Sequence, residues 1–287
     1  IALGQNFNNF IKYATTSMVD FQIAVTVTDA DDDTMCPACE TGDFCRVGGV
    51  PTGATSSTCT TGTGDKIITP NTQNVEQSFA SLVALGTLGS GIETCVVPAV
   101  RALTAPKITD PAKNGGFLRP DAVLAVVCVT DALEQSNQPI SFYLNQLLNI
   151  KGVQRPNLFS YNVIGPFTQL PPPCSTEGQD DGRHLALVTG SNGLREEICT
   201  PNWATALENI GKNAFGFRTN FFLTGTPDLG NGNVITVEID GVVVPSVDAR
   251  MSRVWHYDAA TNSIIFEPLY VPEPGKTMTV HYKVACL

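Results

Sequence analysis

The stretch AVLAVVCVTD, residues 122–131, decides how the rest of the chain reads. Its first part, AVLAVVCV, is apolar at every position and shows no alternation. Such a run fits a strand of a parallel sheet covered on both faces. It ends at Thr130 and Asp131, so the strand delivers a carboxylate to the carboxyl rim of its sheet. Upstream lies GTLGSGIE, residues 86–93, a Gly/Ser loop that carries Thr87 and opens a helix. A loop hydroxyl and a strand-end carboxylate are hard oxygen donors. They suit Mg2+, Ca2+ or Mn2+ and not a thiophilic metal. Thr87 and Asp131 therefore predict a divalent-cation face, and a ligand-binding or adhesion module rather than a hydrolase. Ser90 and Glu134 are lesser candidates for the same ion. Ser90 also reads as a helix cap with Glu93 at capping-box spacing, and Glu134 as an exposed loop carboxylate.

The flanking sequence alternates strands and helices. Phe7, Phe10, Ile11 and Ala14 give helical spacing to residues 5–17, and Phe21, Ile23, Val25 and Val27 alternate as a strand over 20–28. A short strand is expected at 66–69 and helices at 75–85 and 92–103. Residues 140–149 place Tyr143, Leu144, Leu147 and Leu148 on one helix side. A strand follows at 159–164, then helices at 183–189 and 203–215. This order predicts an α/β class: a Rossmann-like, parallel-dominated sheet flanked by helices. Beyond Arg218 the pattern changes. Asp240 and Gly241 sit between apolar runs 234–239 and 242–244, a hairpin signal. Residues 253–257 and 264–267 flank a turn, and 277–285 alternates as a last strand. The expected domains are an α/β domain over 1–218 and a small all-β domain over 219–287. Residues 30–64 form a polar, cysteine-rich insertion, long enough to require stapling or a function of its own.

The 287 residues carry a net charge of −10 with only 15% charged residues. An acidic surface repels phosphates, so nucleic acid is excluded as a partner. No apolar run reaches the roughly 18 residues of a membrane helix, so no membrane span is expected in this chain. The sequence starts at Ile1 without a leader and reads as a mature or truncated product. Low Lys content and nine cysteines favour disulfides in an oxidising compartment, hence a secreted or surface-displayed protein. Cys36 and Cys39 have the CxxC spacing of a zinc site, but Cys45 and Cys59 do not repeat it and no His lies nearby. An odd cysteine count leaves one thiol over. Cys128, mid-strand in an aliphatic run, is expected to be that free, buried thiol. Asp29, Asp31 and Asp33 alternate like a calcium loop, without the Gly and Glu of an EF-hand. A solvated turn also explains them. His184, His256 and His281 are scattered, and no GxSxG, HExxH or P-loop occurs, so no enzyme is expected.

Several stretches carry a resemblance to a known family. They are NFNNFIKYATTSMVDFQIAVTVTD from Asn6, ALGTLGSGIETCVVPAVRAL from Ala84 and FLRPDAVLAVVCVTD from Phe117. ICTPNWATALENIGKNAFG from Ile198 and WHYDAATNSIIFEPLYVPEPGKTMTVHYKVACL from Trp255 complete the set. In this order they resemble a von Willebrand factor A domain of the bacterial secreted or surface type, with a C-terminal β unit. The resemblance implies a metal-ion-dependent adhesion site built from a DxSxS motif, a loop Thr and a later strand-end Asp. Thr87 matches the second part and Asp131 the third. The DxSxS motif and the fold's first strand have no counterpart here, so an upstream segment or a separate chain is expected to supply that strand. The expected partner is a protein or glycan on another surface, its carboxylate completing the ion's coordination. The alternative is a structural subunit of a surface fibre or envelope assembly, packed on neighbouring subunits, with a vestigial metal site. Cys174 and Cys199 are expected to pair. Cys36, Cys39, Cys45 and Cys59 are expected to pair among themselves. Cys95 and Cys286 are left as a pair by elimination.

Overall fold

A computed structural model describes residues 10, 20–28, 41–48, 62–84, 91–120, 122–152, 158–168, 178–214, 220–230, 232–267, 270, 272 and 276–285. The chain divides into two compact units, one built on Asp20–Phe215 and the other on Gly216–Leu287.

In the first unit, β1 (Leu124–Val129), β2 (Phe159–Gly165) and β3 (Arg195–Glu197) form a parallel sheet in that order. Its helices are α1 (Val75–Val83), α2 (Val96–Leu103), α3 (Ile140–Lys151), α4 (Arg183–Gly190) and α5 (Trp203–Ala214). Helix α3 carries the chain from β1 to β2, and α4 from β2 to β3, as parallel neighbours require. The pleat sends Leu124 and Cys128 of β1, with Phe159, Tyr161 and Val163 of β2, to one face. There they meet Val96 and Val100 of α2, Tyr143 and Leu147 of α3, and Leu187 of α4. Ile164 and the half-buried Val127 and Val129 turn to the other face, against Leu82 of α1 and Leu207 and Ile210 of α5. With helices on both faces, polar alternation along β1 has no place. Each fully buried Leu or Ile contributes about 1.5–3 kcal/mol. β3 was not foreseen, because REE is short and charged; it adds to the sheet through its pairing with Val163–Gly165.

The 20–28 alternation gives less than a strand. Ile23 and Ile68 form one antiparallel bridge (N···O 2.9 and 2.8 Å), and no strand is assigned over 20–28 or 66–69. Of the helix expected over 5–17, only Phe10 is among the described residues. It is helical and stacks on Phe79.

The 30–64 insertion is not all a surface loop. Thr41, Asp43, Phe44 and Cys45 are buried. Phe44 packs edge-on against Phe117 with ring centroids 5.0 Å apart. Its amide donates to Asn114 Oδ1 (3.1 Å), while Asn114 Nδ2 donates to the carbonyls of Gly42 (2.8 Å) and Ala102 (3.0 Å). Asp43 lies between Lys107 (2.6 Å) and Lys113 (2.9 Å), which offset the cost of burying its charge. Gly42 has φ +89°, and a Cβ there would meet the Ala102 amide nitrogen at 2.7 Å. The apolar pair Phe44 and Cys45 within a polar run was the signal for this anchoring.

Cys128 is not a free thiol. It is disulfide-bonded to Cys95, with Cα atoms 5.7 Å apart, which also rules out the Cys95–Cys286 pair. The pleat turns Cys128 toward α2, and Cys95 is the residue that opens α2. Cys45 and Cys199 are each in a disulfide too. Cys36, Cys39, Cys59, Cys174 and Cys286 lie outside the described residues.

Among its described residues the second unit holds two antiparallel sheets: β4 (Asn220–Phe222), β8 (Ser263–Phe266) and β7 (Trp255–Asp258), and β6 (Val242–Val244), β5 (Thr236–Ile239) and β9 (Met278–His281). Val237, Val254, Trp255, Ile264 and Phe266 form its core. The β5–β6 turn has φ +50° at Asp240 and +78° at Gly241, the positive pair a two-residue hairpin demands.

Candidate cation-binding rim

Three segments meet where β1 ends. Thr130, the residue after β1, donates its amide to the Ile164 carbonyl (3.1 Å). Its hydroxyl accepts from the Ala132 amide (3.0 Å) and donates to Glu93 Oε2 (3.2 Å). The Glu93 amide donates to Gln135 Oε1 (3.0 Å), and the Gln135 amide returns to the Glu93 carbonyl (3.2 Å). Glu93 is therefore joined at three points to the loop after β1. The third segment arrives through Thr28, whose carbonyl accepts from the Thr94 amide (2.9 Å). Thr28 is the residue before the Asp29, Asp31 and Asp33 cluster, which itself lies outside the described residues.

Asp131 is exposed at this rim. Thr87 and Ser90 lie outside the described residues. The helix expected from residue 92 begins at Val96, so Glu93 precedes it and the capping box is not formed.

Glu134 takes the capping role instead, and this corrects its reading as an exposed carboxylate. It is 2% exposed. Oε2 accepts from the amides of Cys95 (2.9 Å) and Val96 (3.1 Å), and Oε1 from the Ser136 amide (3.2 Å). The first N–H groups of a helix need acceptors, and a carboxylate there gains from the helix dipole. Cys95 at the N-cap makes no side-chain cap. Nothing in the sequence next to α2 points to this acceptor, 38 and 39 positions downstream.

The loop after β1 is fastened on its far side too. Arg183 Nη2 donates to the Ser136 carbonyl (2.7 Å), the Ser136 hydroxyl (2.6 Å) and the Gln138 carbonyl (2.9 Å). His184, fully buried, places Nε2 3.3 Å from the Ala132 carbonyl oxygen. Tyr161 lies in β2 with its phenol buried and without a hydrogen-bond partner among the described residues. Burial, and then the Glu134 charge, pushes that phenol well above its ordinary range. The loop is thus held by hydrogen bonds on both sides, while Asp131 stays exposed. Among the described residues, no group of three or more His, Cys, Asp or Glu side chains could hold a metal ion. Asp131 is the one candidate donor from the sequence that the described residues place exposed at this rim. No family model matches the chain, and no curated protein and no solved structure matches it either.

Proposed function

We propose that the chain is a secreted or surface-displayed binding module that uses a divalent cation at the carboxyl end of β1 to hold a protein or glycan ligand. The observation that carries this reading is the union of the loop after β1 with Glu93, through Thr130 and Gln135. It brings the chain that leaves the Thr87 loop to the same rim as Asp131. The ion is Mg2+, Ca2+ or Mn2+, held by Asp131 and Thr87, with a ligand carboxylate completing its shell. The Cys95–Cys128 disulfide fits an oxidising compartment, and no helix among the described residues is long and apolar enough to cross a membrane. β1 pairs with β2 alone among the described residues, and its other edge suits an extended strand from an upstream segment or a separate chain.

Thermal unfolding with and without each cation tests the reading. A cation at 100 times its Kd stabilises by about 2.7 kcal/mol. For a unit of this size that raises Tm by roughly 5–11 °C. Asp131→Ala, an exposed change, abolishes the rise while leaving the metal-free Tm in place. A rise that survives Asp131→Ala, or none with any of the three ions, refutes the site.

A second reading, a structural subunit of a surface assembly, draws on the second unit. Val242 and Val243 of β6 are 68% and 57% exposed, a place where a neighbouring subunit could pack. Concentration-dependent self-association that Val243→Lys weakens would favour it.

A further inference from the structure

We infer that β6 is a self-association edge: two copies of this chain pair their β6 strands antiparallel about a two-fold axis at Val243. This deepens the surface-assembly reading above and does not depend on a cation. Among the described residues β6 lies at the end of its sheet, with β5 on one side only. The β5–β6 loop has two residues, so Ile239 and Val242 close it as a hydrogen-bonded pair, and Glu238 and Val243 form the next, non-bonded pair. The N–H and C=O of Val243 therefore point to the open edge. Val242 and Val244 stand on the same face as Val237, Ile239, Met278 and Val280, the residues that build the core on this sheet. Val244 is half-buried there, but Val242 is 68% exposed. Val243, on the other face, is 57% exposed. The apolar face thus runs out to the sheet edge uncovered. A second β6 covers it: Val243 meets the same residue of the copy and Val242 meets Val244, which continues both the ladder and the apolar row. Charge favours the antiparallel sense. Glu238, Asp240 and Lys276 at the hairpin end leave one negative charge over, and Asp248, Arg250 and Arg253 past the other end leave one positive charge over. Antiparallel pairing sets unlike ends together twice, as a two-fold contact requires, whereas parallel pairing sets like on like. Pro245 brings no N–H to the edge, so the ladder is short and the contact weak.

Light scattering and cysteine cross-linking of the full chain test the edge. Light scattering up to about 1 mM, where a low-area contact is populated, shows a dimer fraction that rises with concentration. Val243→Lys sets two like charges together at the axis and weakens the dimer by about tenfold or more. Val284→Lys is the control, because Val284 is 54% exposed and follows β9, the strand at the opposite end of the sheet; it leaves the dimer unchanged. If Val243→Lys does not fold by circular dichroism, Val242→Ser takes its place. Opposed residues of a hydrogen-bonded antiparallel pair have Cα atoms about 5.5 Å apart, within disulfide reach. Under mild oxidation Val243→Cys therefore gives a covalent dimer whose mapped bond joins position 243 to position 243. Val242→Cys stands about 7–8 Å from its own copy across the diagonal and links poorly. A chain that is monomeric at every concentration overturns the proposal and leaves the surface-assembly reading only with a different partner. Self-association that survives Val243→Lys or Val242→Ser also overturns it, and the surface-assembly reading then rests on another surface. Val242→Cys or Val284→Cys linking as readily as Val243→Cys overturns the antiparallel two-fold at Val243.

Discussion

Replacing Cys95 and Cys128 together by Ala opens the link between α2 and β1. The two residues are 33 positions apart in the chain. The chain-entropy relation for a loop of that length gives about 3.7 kcal/mol of stabilisation from the bond. At 1.4 kcal/mol per factor of ten, the ratio of folded to unfolded protein falls by several hundredfold. For a unit of about 200 residues the matching fall in Tm is roughly 7–15 °C. Both cysteines are buried, so the loss appears in the main unfolding transition of the first unit and not as local fraying. Urea unfolding of the native and double-Ala proteins, without reductant, measures the difference. Peptide mapping without reduction identifies the bond itself. A double variant within about 1 kcal/mol of native stability would refute the reasoning, since surface changes already span about half that. A Cys128 that alkylates in the unfolded, unreduced chain, or a Cys95–Cys286 peptide, would restore the free-thiol expectation.

Two further perturbations probe the remaining structure. Gly193→Ala drives a Cβ into the backbone carbonyl oxygen of Tyr161 in β2, so it costs about 2–3 kcal/mol, whereas Gly91→Ala, with open space around it, stays within about 0.5 kcal/mol. Equal stability of the two variants by urea unfolding would contradict the close approach at residue 193. In the second unit, three carboxyls are held below the ordinary range. Asp240 is lowered by Lys276 and then the Thr277 N–H, Asp248 by the Tyr270 hydroxyl and then the Ser252 N–H, and Asp258 by the Thr261 hydroxyl and then the Ala260 N–H. Because the folded values lie below the unfolded one, the stability they contribute is complete above about pH 4 and is lost as pH falls through the folded values. Trp255 fluorescence in a Trp203→Phe background should show the second unit weakening below about pH 4, with a shallower fall in Asp248→Asn. Unfolding that does not change between pH 6 and 2 would show that these contacts do not form in solution.

Periodicity carried most of the fold. The unbroken run at 122–129 became β1, flanked on both faces by helices, and the 3.6-residue spacing at 140–149 became α3 with Tyr143 and Leu147 buried. The Asp240–Gly241 turn was readable because only positive φ closes so tight a hairpin. What periodicity missed depended on distant partners. The alternation at 20–28 met only Ile68 in a bridge, so a strand pattern produced an extended segment instead. Residues 41–45 read as loop because the positive charges that accompany Asp43, Lys107 and Lys113, lie more than sixty positions away. Cys128 looked like one more apolar residue of its strand, and nothing local marked Cys95 as its neighbour. At the rim, Asp131 was readable as a strand-end carboxylate. Glu134 was not, because its role is set by a helix start 38 and 39 positions upstream. Long-range capping leaves no local spacing to recognise.

The central claim is that an ion sits on the carboxylate of Asp131. Anomalous diffraction from crystals soaked in Mn2+ tests it most directly. The account predicts a peak at coordination distance, about 2.0–2.6 Å, from an Asp131 oxygen, with a residue of the 85–90 loop as a second protein donor and no contact to Glu134. An ion found elsewhere, for example on the Asp228 or Asp248 turns, with none at Asp131, would contradict it.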